Sequence, residues 1–195
     1  MLRWLAVTML ACGAVALSAQ TAAIDPALLA KASGGDAAAQ VQVGEQYAKA
    51  AETAQFRDQA AGDWTQAVAW YRKAAGQNNL AGEIHLAELY RDGGGKAFPR
   101  DMTQAAAWYR KAAEQGDIAA QGALGMLYSL GQGVPQDDAE AYFWLDLAAS
   151  APGPRQAQYM ANRQNVGTRI TQDQLDEIRE REAKWKAAHP APAAR

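Results

Sequence analysis

The sequence predicts an all-α protein, a solenoid of about three helix-turn-helix units with helical caps at both ends. Three observations carry this. Trp70, Trp108 and Trp144 stand in near-identical contexts, AVAWYRKAA (67–75), AAAWYRKAA (105–113) and AYFWLDLAA (141–149), spaced by 38 and then 36 residues. A period in that range marks stacked helical hairpins rather than a single folded core. A second anchor recurs upstream of each, at Tyr47, Tyr90 and Tyr128. Finally, alanine dominates the apolar residues and β-branched runs are absent, a composition that costs little in a helix and lets helices approach closely.

The chain begins with a segment of different character. Residues 1–19 read as a secretory signal peptide: Arg3 gives a positive start, Trp4 to Leu17 is almost wholly apolar, and small residues follow, with cleavage expected after Ala19. The apolar stretch falls short of the roughly 20 residues needed to span a bilayer. The expected location is therefore periplasmic or secreted, with no integral membrane segment in the mature chain. Cys12, the single cysteine, lies in this leader. Lipidation there is the less favoured reading, because Met9-Leu10-Ala11 departs from the usual lipoprotein pattern. Cleavage would leave a mature chain with no thiol, disulfide or Cys-metal site.

Residues 20–35 form an expected capping half-repeat, opened by Asp25-Pro26 with proline at the first helical position and closed by Gly34-Gly35. Three units follow, 36–78, 79–116 and 117–150. Their first helices start at Asp36, Asn79 and Asp117, all good N-caps. Val43, Leu86 and Leu124 lie four residues before the tyrosines and Gly44, Ala87 and Gly125 three before, which sets an apolar and small stripe on one helical face. Glycine inside a helix costs about 1 kcal/mol relative to alanine, so its use there points to close helix–helix contact. The second helices are expected to start at Asp63, Asp101 and Asp137, seven residues before each tryptophan, with Gln66, Gln104 and Glu140 at capping-box spacing. Gly76 and Gly116 terminate the first two such helices.

The connections differ. Gly93-Gly94-Gly95 and Gly131-Gln132-Gly133, with Pro99 and Pro135, fill the later two, whereas Ala50–Gly62 is expected to be a longer loop in the first unit. That loop reads either as an insertion on a binding face or as a tolerated surface insertion, since lengthening a loop costs little. Residues 151–188 are expected to cap the array. Pro152 and Pro154 break the period, a helix spans about Arg155 to Gly167, and Thr171 with Gln174 launches another to about Ala188. On it Leu175, Ile178 and Trp185 share a face, while Glu177/Arg181 and Glu180/Lys184 are spaced to pair outside. Residues 189–195 read as a disordered tail.

Taken together, Ala-x-x-x-Leu-Gly-x-x-Tyr (120–128), Gly-x-Gly-Val-x-x-Asp (131–137) and Ala-x-x-Trp-hydrophobic-x-x-Ala-Ala (141–149) resemble the Sel-1-like repeat, a relative of the tetratricopeptide repeat with a longer period. The second unit departs from it at Ala87 and Phe98. The resemblance covers about Asp36 to Ser150, and the Thr-x-x-Gln-Leu…Trp-Lys segment resembles the closing helix of exported bacterial members. It implies a right-handed α/α superhelix that serves as a scaffold for protein–protein interactions, in some bacteria in signalling or envelope processes. A cysteine-rich subset of the family binds penicillin or hydrolyses β-lactams, and this chain lacks those cysteines.

The formal net charge is −2 with no basic run, which argues against nucleic acid as a partner. No His/Cys/carboxylate spacing suggests a metal, and no cofactor is expected. Ser33, Ser129 and Ser150 lack a Gly-x-Ser-x-Gly context. Gly93-Gly94-Gly95-Lys96 occupies an inter-helix loop and lacks the Lys-Ser/Thr helix start of a phosphate loop. Trp70, Trp108 and Trp144, with Tyr71 and Tyr109, could be read as an aromatic ligand platform, but their regular placement favours packing. Gly44, Tyr47, Trp70, Ala87, Tyr90, Trp108, Gly125, Tyr128 and Trp144 are thus expected to be structural, and Asp63, Asp101 and Asp137 to be helix caps. The columns that fail to repeat, Gln42/His85, Glu45/Glu88 and Lys49/Asp92, are expected to line the concave surface and meet a protein partner. The leading functional expectation is an exported, non-enzymatic binding scaffold. Its alternative is an envelope enzyme acting on β-lactam or peptidoglycan, for which the chain offers no recognisable nucleophile.

Overall fold

A computed structural model describes residues 24–190; residues 1–23, with the expected leader and Cys12, and residues 191–195 lie outside the described residues. Among the described residues there are nine α-helices: α1 (Pro26–Ser33), α2 (Ala37–Thr53), α3 (Arg57–Ala75), α4 (Leu80–Asp92), α5 (Met102–Glu114), α6 (Ile118–Leu130), α7 (Asp138–Ser150), α8 (Gln156–Gly167) and α9 (Gln172–Ala188). Helices adjacent in the chain pack side by side from α1 to α8, which is an α/α solenoid. Beyond chain neighbours, α2 also touches α4, and α6 touches α8 of the cap, which places the first helices of the units on the inner side of the stack.

Local chemistry sets most of the helix starts. Asp36, Asn79 and Asp117 each accept a hydrogen bond from the backbone N–H three residues on, at 2.8, 3.0 and 2.7 Å. Asp101 and Asp137 do the same for α5 and α7, each at 3.0 Å. Each bond satisfies one of the orphan donors of a helix N-terminus. Thr171 and Gln174 form a reciprocal capping box at the start of α9.

The first repeat departs from the sequence-based expectation. Ala50–Gly62 is not a loop: α2 continues to Thr53 and α3 begins at Arg57. Asp63 is therefore not a cap but an interior residue of α3, 5% exposed, with Oδ2 lacking a hydrogen-bond partner. Phe56 holds the N-cap position and makes no side-chain cap. The reason is composition. Apart from Thr53, Phe56, Asp58 and Gly62 the stretch is Ala, Gln, Glu and Arg, with no proline, and such residues extend a helix unless something stops it. Pro99 and Pro135 supply that stop in the other two units, and the first has no counterpart.

One core runs through the array, from Val41 and Trp64 through Leu86, Leu124 and Phe143 to Ile178. Leu86 and Leu124 are fully buried, each contributing about 2–3 kcal/mol of apolar transfer. Trp70 lies apart, in a smaller cluster with Ala32, Ala39 and Val43 that ties α1 to the first repeat. The small stripe does bring helices together: a Cβ on Gly44 would sit 2.5 Å from the Tyr71 ring, and one on Gly125 would sit 2.7 Å from Leu145.

Buried polar side chains reinforce the joints. The Gln40 and Gln121 amides donate to the carbonyls of Ala32 and Ala113 at the end of the preceding helix. Gln77 donates to Gln40 and Gln115 to Glu83, each tying the end of a unit back to its own first helix.

The closing helix α9 lies across α7 with Ile178 buried and Trp185 partly buried. Arg181 does not pair with Glu177 as its spacing suggests; it reaches Glu140 on α7 and covers the Phe143 ring at 3.8 Å. The other expected pair, Glu180/Lys184, is likewise not among the ion pairs of the described residues; Arg179–Asp176 and Lys186–Glu182 are. Glu182 is buried between α7 and α9, and its carboxyl is pushed up to about 7, first by burial and then by the Asp146 carboxylate.

Candidate functional site

The repeated columns are spent on packing. Tyr90 and Tyr128 accept hydrogen bonds from Arg72 and Arg110, each on the second helix of the preceding unit. Trp144 is 4% exposed and donates its Nε1–H to Glu140 at 3.1 Å. Trp70 is buried with the Lys73 ammonium 3.7 Å above its ring. Trp108 is only partly buried, with Lys111 at 4.2 Å from its ring and its Nε1–H unpartnered. Ala87 is fully buried. Tyr47 is partly buried and packs against both the main core and the Trp70 cluster.

The non-repeating columns lie on the first helices, toward the inner side. At the N-terminal end they form an acidic, aromatic patch. His85 stacks on Tyr71 with ring centroids 4.9 Å apart and pairs with Glu45 at 3.1 Å. Burial raises the Tyr71 hydroxyl pKa, and the Glu45, Glu52 and Glu88 carboxylates raise it further. Gln42 lines a separate concavity beside Lys31 and Asp36, and Lys49 is exposed on α2.

At the other end the same columns carry Ala123 and Met126, and the surface changes sign. Ala119, Gly122, Ala123 and Met126, one stripe of α6, floor a groove of about 360 Å³. Arg91, Arg100 and Tyr109 stand on one side of it and Arg155, Gln158, Tyr159 and Asn162 on the other. Gly122 allows this shape, because a Cβ there would meet the Tyr159 ring at 2.2 Å. Arg91 is fixed by two 2.7 Å bonds to Asp92 and a 2.6 Å bond to the Tyr109 hydroxyl. The Arg91 hydrogen bond holds the Asp92 carboxyl below its ordinary range, with Arg100 adding to the effect. Burial pushes the Tyr109 hydroxyl up to about 12. Among the described residues Arg100 and Arg155 have no carboxylate within ion-pair distance.

Of the residues expected to meet a partner, Asp92 lines this groove, while Glu45, His85 and Glu88 gather around Tyr71. The reading of the sequence did not find Arg91, Arg100, Tyr109, Arg155 or Tyr159 as groove residues. The available signal was that Ala123 and Met126 share columns with His85 and Glu88. Among the described residues no group of three His, Cys, Asp or Glu is placed to hold a metal, and no helix is long and apolar enough to cross a membrane.

Antiparallel helix pairs stacked in register, with an open groove on the inner side, define a helical-repeat solenoid. The Sel1 repeat model matches residues 63–79, 80–117 and 118–152, so the chain carries three Sel1 repeats. The first match begins at Asp63, within α3, so α2 and the first residues of α3 lie outside it. A Sel1 repeat protein from Oxalobacter formigenes is similar at 27% identity and a TM-score of 0.56, covering 71% of this chain and 96% of its own. The structure of c5321, a protective antigen of uropathogenic Escherichia coli with an SLR fold, is similar at 28% identity and a TM-score of 0.53 over 82% of this chain. The chain spans 40% of the length of that E. coli structure. No functionally curated protein matches the sequence. Sel1 repeats typically serve as protein-interaction scaffolds.

Proposed function

We propose that this protein is an exported, non-enzymatic scaffold that binds a protein partner through the inner face of its repeat array, in the periplasm or outside the cell. The observation that carries the reading is the division of labour among the columns. Side chains that repeat are consumed in holding units together, while those that vary face an open surface that changes from acidic to basic along its length. Variation confined to one accessible face is how repeat proteins present a binding surface on a constant frame. Export is supported by the leader-like composition of residues 1–19.

The test is site-specific photo-crosslinking in cells, with the reactive group at Met126 in the groove and, as a control, at the exposed Ala69 on α3. A discrete protein adduct from Met126 and none from Ala69 is expected, in the envelope fraction. Equal labelling at both positions, or none from Met126, would overturn the binding assignment. Retention in the cytoplasm would overturn export. Turnover of a chromogenic cephalosporin by purified protein, absent from a preparation of mock-expressing cells, would overturn the non-enzymatic part.

A further inference from the structure

The groove between α6 and α8 has three properties that together specify a kind of occupant. Its charge is lopsided: Arg91, Arg100 and Arg155 face one carboxylate, Asp92, which Arg91 already engages. Arg100 and Arg155 come from opposite sides of the groove, the first from the loop before α5 and the second from the residue before α8. Among the described residues neither arginine is in an ion pair, and a guanidinium matches a carboxylate in a paired, planar geometry.

Between the two arginines lies an apolar floor, Ala123 and Met126, which a plain inorganic anion would leave unused. Methionine adapts to differently shaped apolar side chains. The rim carries three side-chain amides, Gln132, Gln158 and Asn162, with no hydrogen bond among the described residues. Each offers both a donor and an acceptor, the complement of a peptide backbone.

We propose, building on the scaffold reading, that this groove takes an extended acidic peptide segment of the partner. Its carboxylates pair with Arg100 and Arg155, and an intervening apolar side chain rests on Ala123 and Met126. Arg91 is a positioning residue: held by Asp92, it fixes the Tyr109 hydroxyl that walls the groove. The Glu45 and Glu52 carboxylates farther along the array, and Glu88, whose charge reaches both Tyr71 and the groove-wall Arg91, repel the same peptide, so its acidic stretch is confined to the α6–α8 end.

The test is fluorescence anisotropy of the purified protein with a labelled peptide, Asp-Leu-Glu-Asp-Leu-Glu, beside its Asn/Gln counterpart. The acidic peptide is expected to bind at least about tenfold more tightly than the amide version, an advantage that shrinks as salt is raised. Arg100→Ala and Arg155→Ala are each expected to weaken binding about fivefold or more. Both side chains are exposed, so the variants should melt like the parent protein. Met126→Asp should abolish binding, and Glu88→Gln should leave it unchanged or tighter. Equal affinity for the two peptides, or insensitivity to the Arg100→Ala/Arg155→Ala pair, would overturn the proposal. So would displacement of the peptide by an equal concentration of inorganic phosphate, or preferential binding to vesicles of anionic lipid. If the peptide fails while the Met126 crosslink still captures a protein, only this inference falls; if the crosslink fails as well, the scaffold reading falls with it.

Discussion

In the third repeat a glycine-rich turn separates the helices, with Gly131 and Gly133 at φ of 64° and 73°, and Asp137 caps α7. In the first repeat only residues 54–56 separate α2 from α3, and the aspartate at the same distance from the tryptophan is enclosed within the helix. The aspartate–tryptophan spacing alone therefore does not start a helix. What starts it is the punctuation upstream, where glycine and proline forbid the preceding turns from being helical. The loop of the third unit also leans on its neighbour: a Cβ on Gly133 would lie 2.0 Å from the Met102 carbonyl. The two tryptophans differ correspondingly. Trp144 sits in the continuous core and Trp70 in a small terminal cluster.

Substitutions at the tryptophans should separate the two ends most widely. Trp144→Ala is expected to cost about 3–5 kcal/mol in urea unfolding. Trp70→Ala should cost about 2–3, because its cluster lies at an end that can relax, and the half-buried Trp108→Ala about 1–2. Trp108 as the costliest of the three would break the assignment of the core.

The C-terminal end should carry a pH dependence near neutrality, beside the one that burial of Asp63, which raises its carboxyl, gives the first repeat. Glu182 holds its proton above the ordinary value of 4.5, so the native state binds a proton that the unfolded chain has released. Stability should fall as pH rises from about 4.5 through about 7, with the full penalty present above that. Glu182→Gln should therefore stabilise by about 1–2 kcal/mol at pH 8 and by almost nothing at pH 4, read from thermal melts. Equal gains at both pH values would exclude the titration. Arg163 and Lys186 partly offset the penalty in the parent protein, so their loss should deepen it.

Smaller effects test the helix starts. Removing a cap costs about 1 kcal/mol, so Asp137→Ala and Asp101→Ala should each lose that much. Asp63→Ala should lose nothing or gain slightly, since it removes a buried carboxylate whose Oδ2 has no hydrogen-bond partner. Smallest is Gly62→Ala, expected to add about 0.5–1 kcal/mol, because a Cβ there meets nothing within 4 Å and the residue lies inside α3. A loss at Gly62→Ala would restore the loop that the sequence suggests.

The solenoid was legible because its signals are local: a repeated tryptophan frame, and aspartates or asparagine that cap helices within a few residues of themselves. Ala50–Gly62 is the exception, because its aspartate–tryptophan offset points to a loop where helix propensity carries α2 to Thr53 and starts α3 at Arg57. The basic groove was not legible for a different reason. Arg100 follows one proline and Arg155 another, and the two come together only when α8 folds back beside α6. Tyr159 needs Gly122 beneath it, 37 positions away, and neither residue belongs to a repeating column. The polar joints Gln77–Gln40 and Gln115–Glu83 likewise span 37 and 32 residues.

The arginine–tyrosine links have a consequence for how such an array can lengthen. Two residues after Trp70 and Trp108 stand Arg72 and Arg110, each donating to a tyrosine of the following unit. Two residues after Trp144 stands Asp146, and it accepts from Arg163 of α8 instead. The connector is of one gender along the array and of the opposite gender at its end. A duplicated unit inserted between the first and second repeats would find matching ends on both sides. One inserted after the third would meet an aspartate where its tyrosine needs a donor. By this column of bonds, a duplicated unit is expected to fit the interior more readily than the end beside α8.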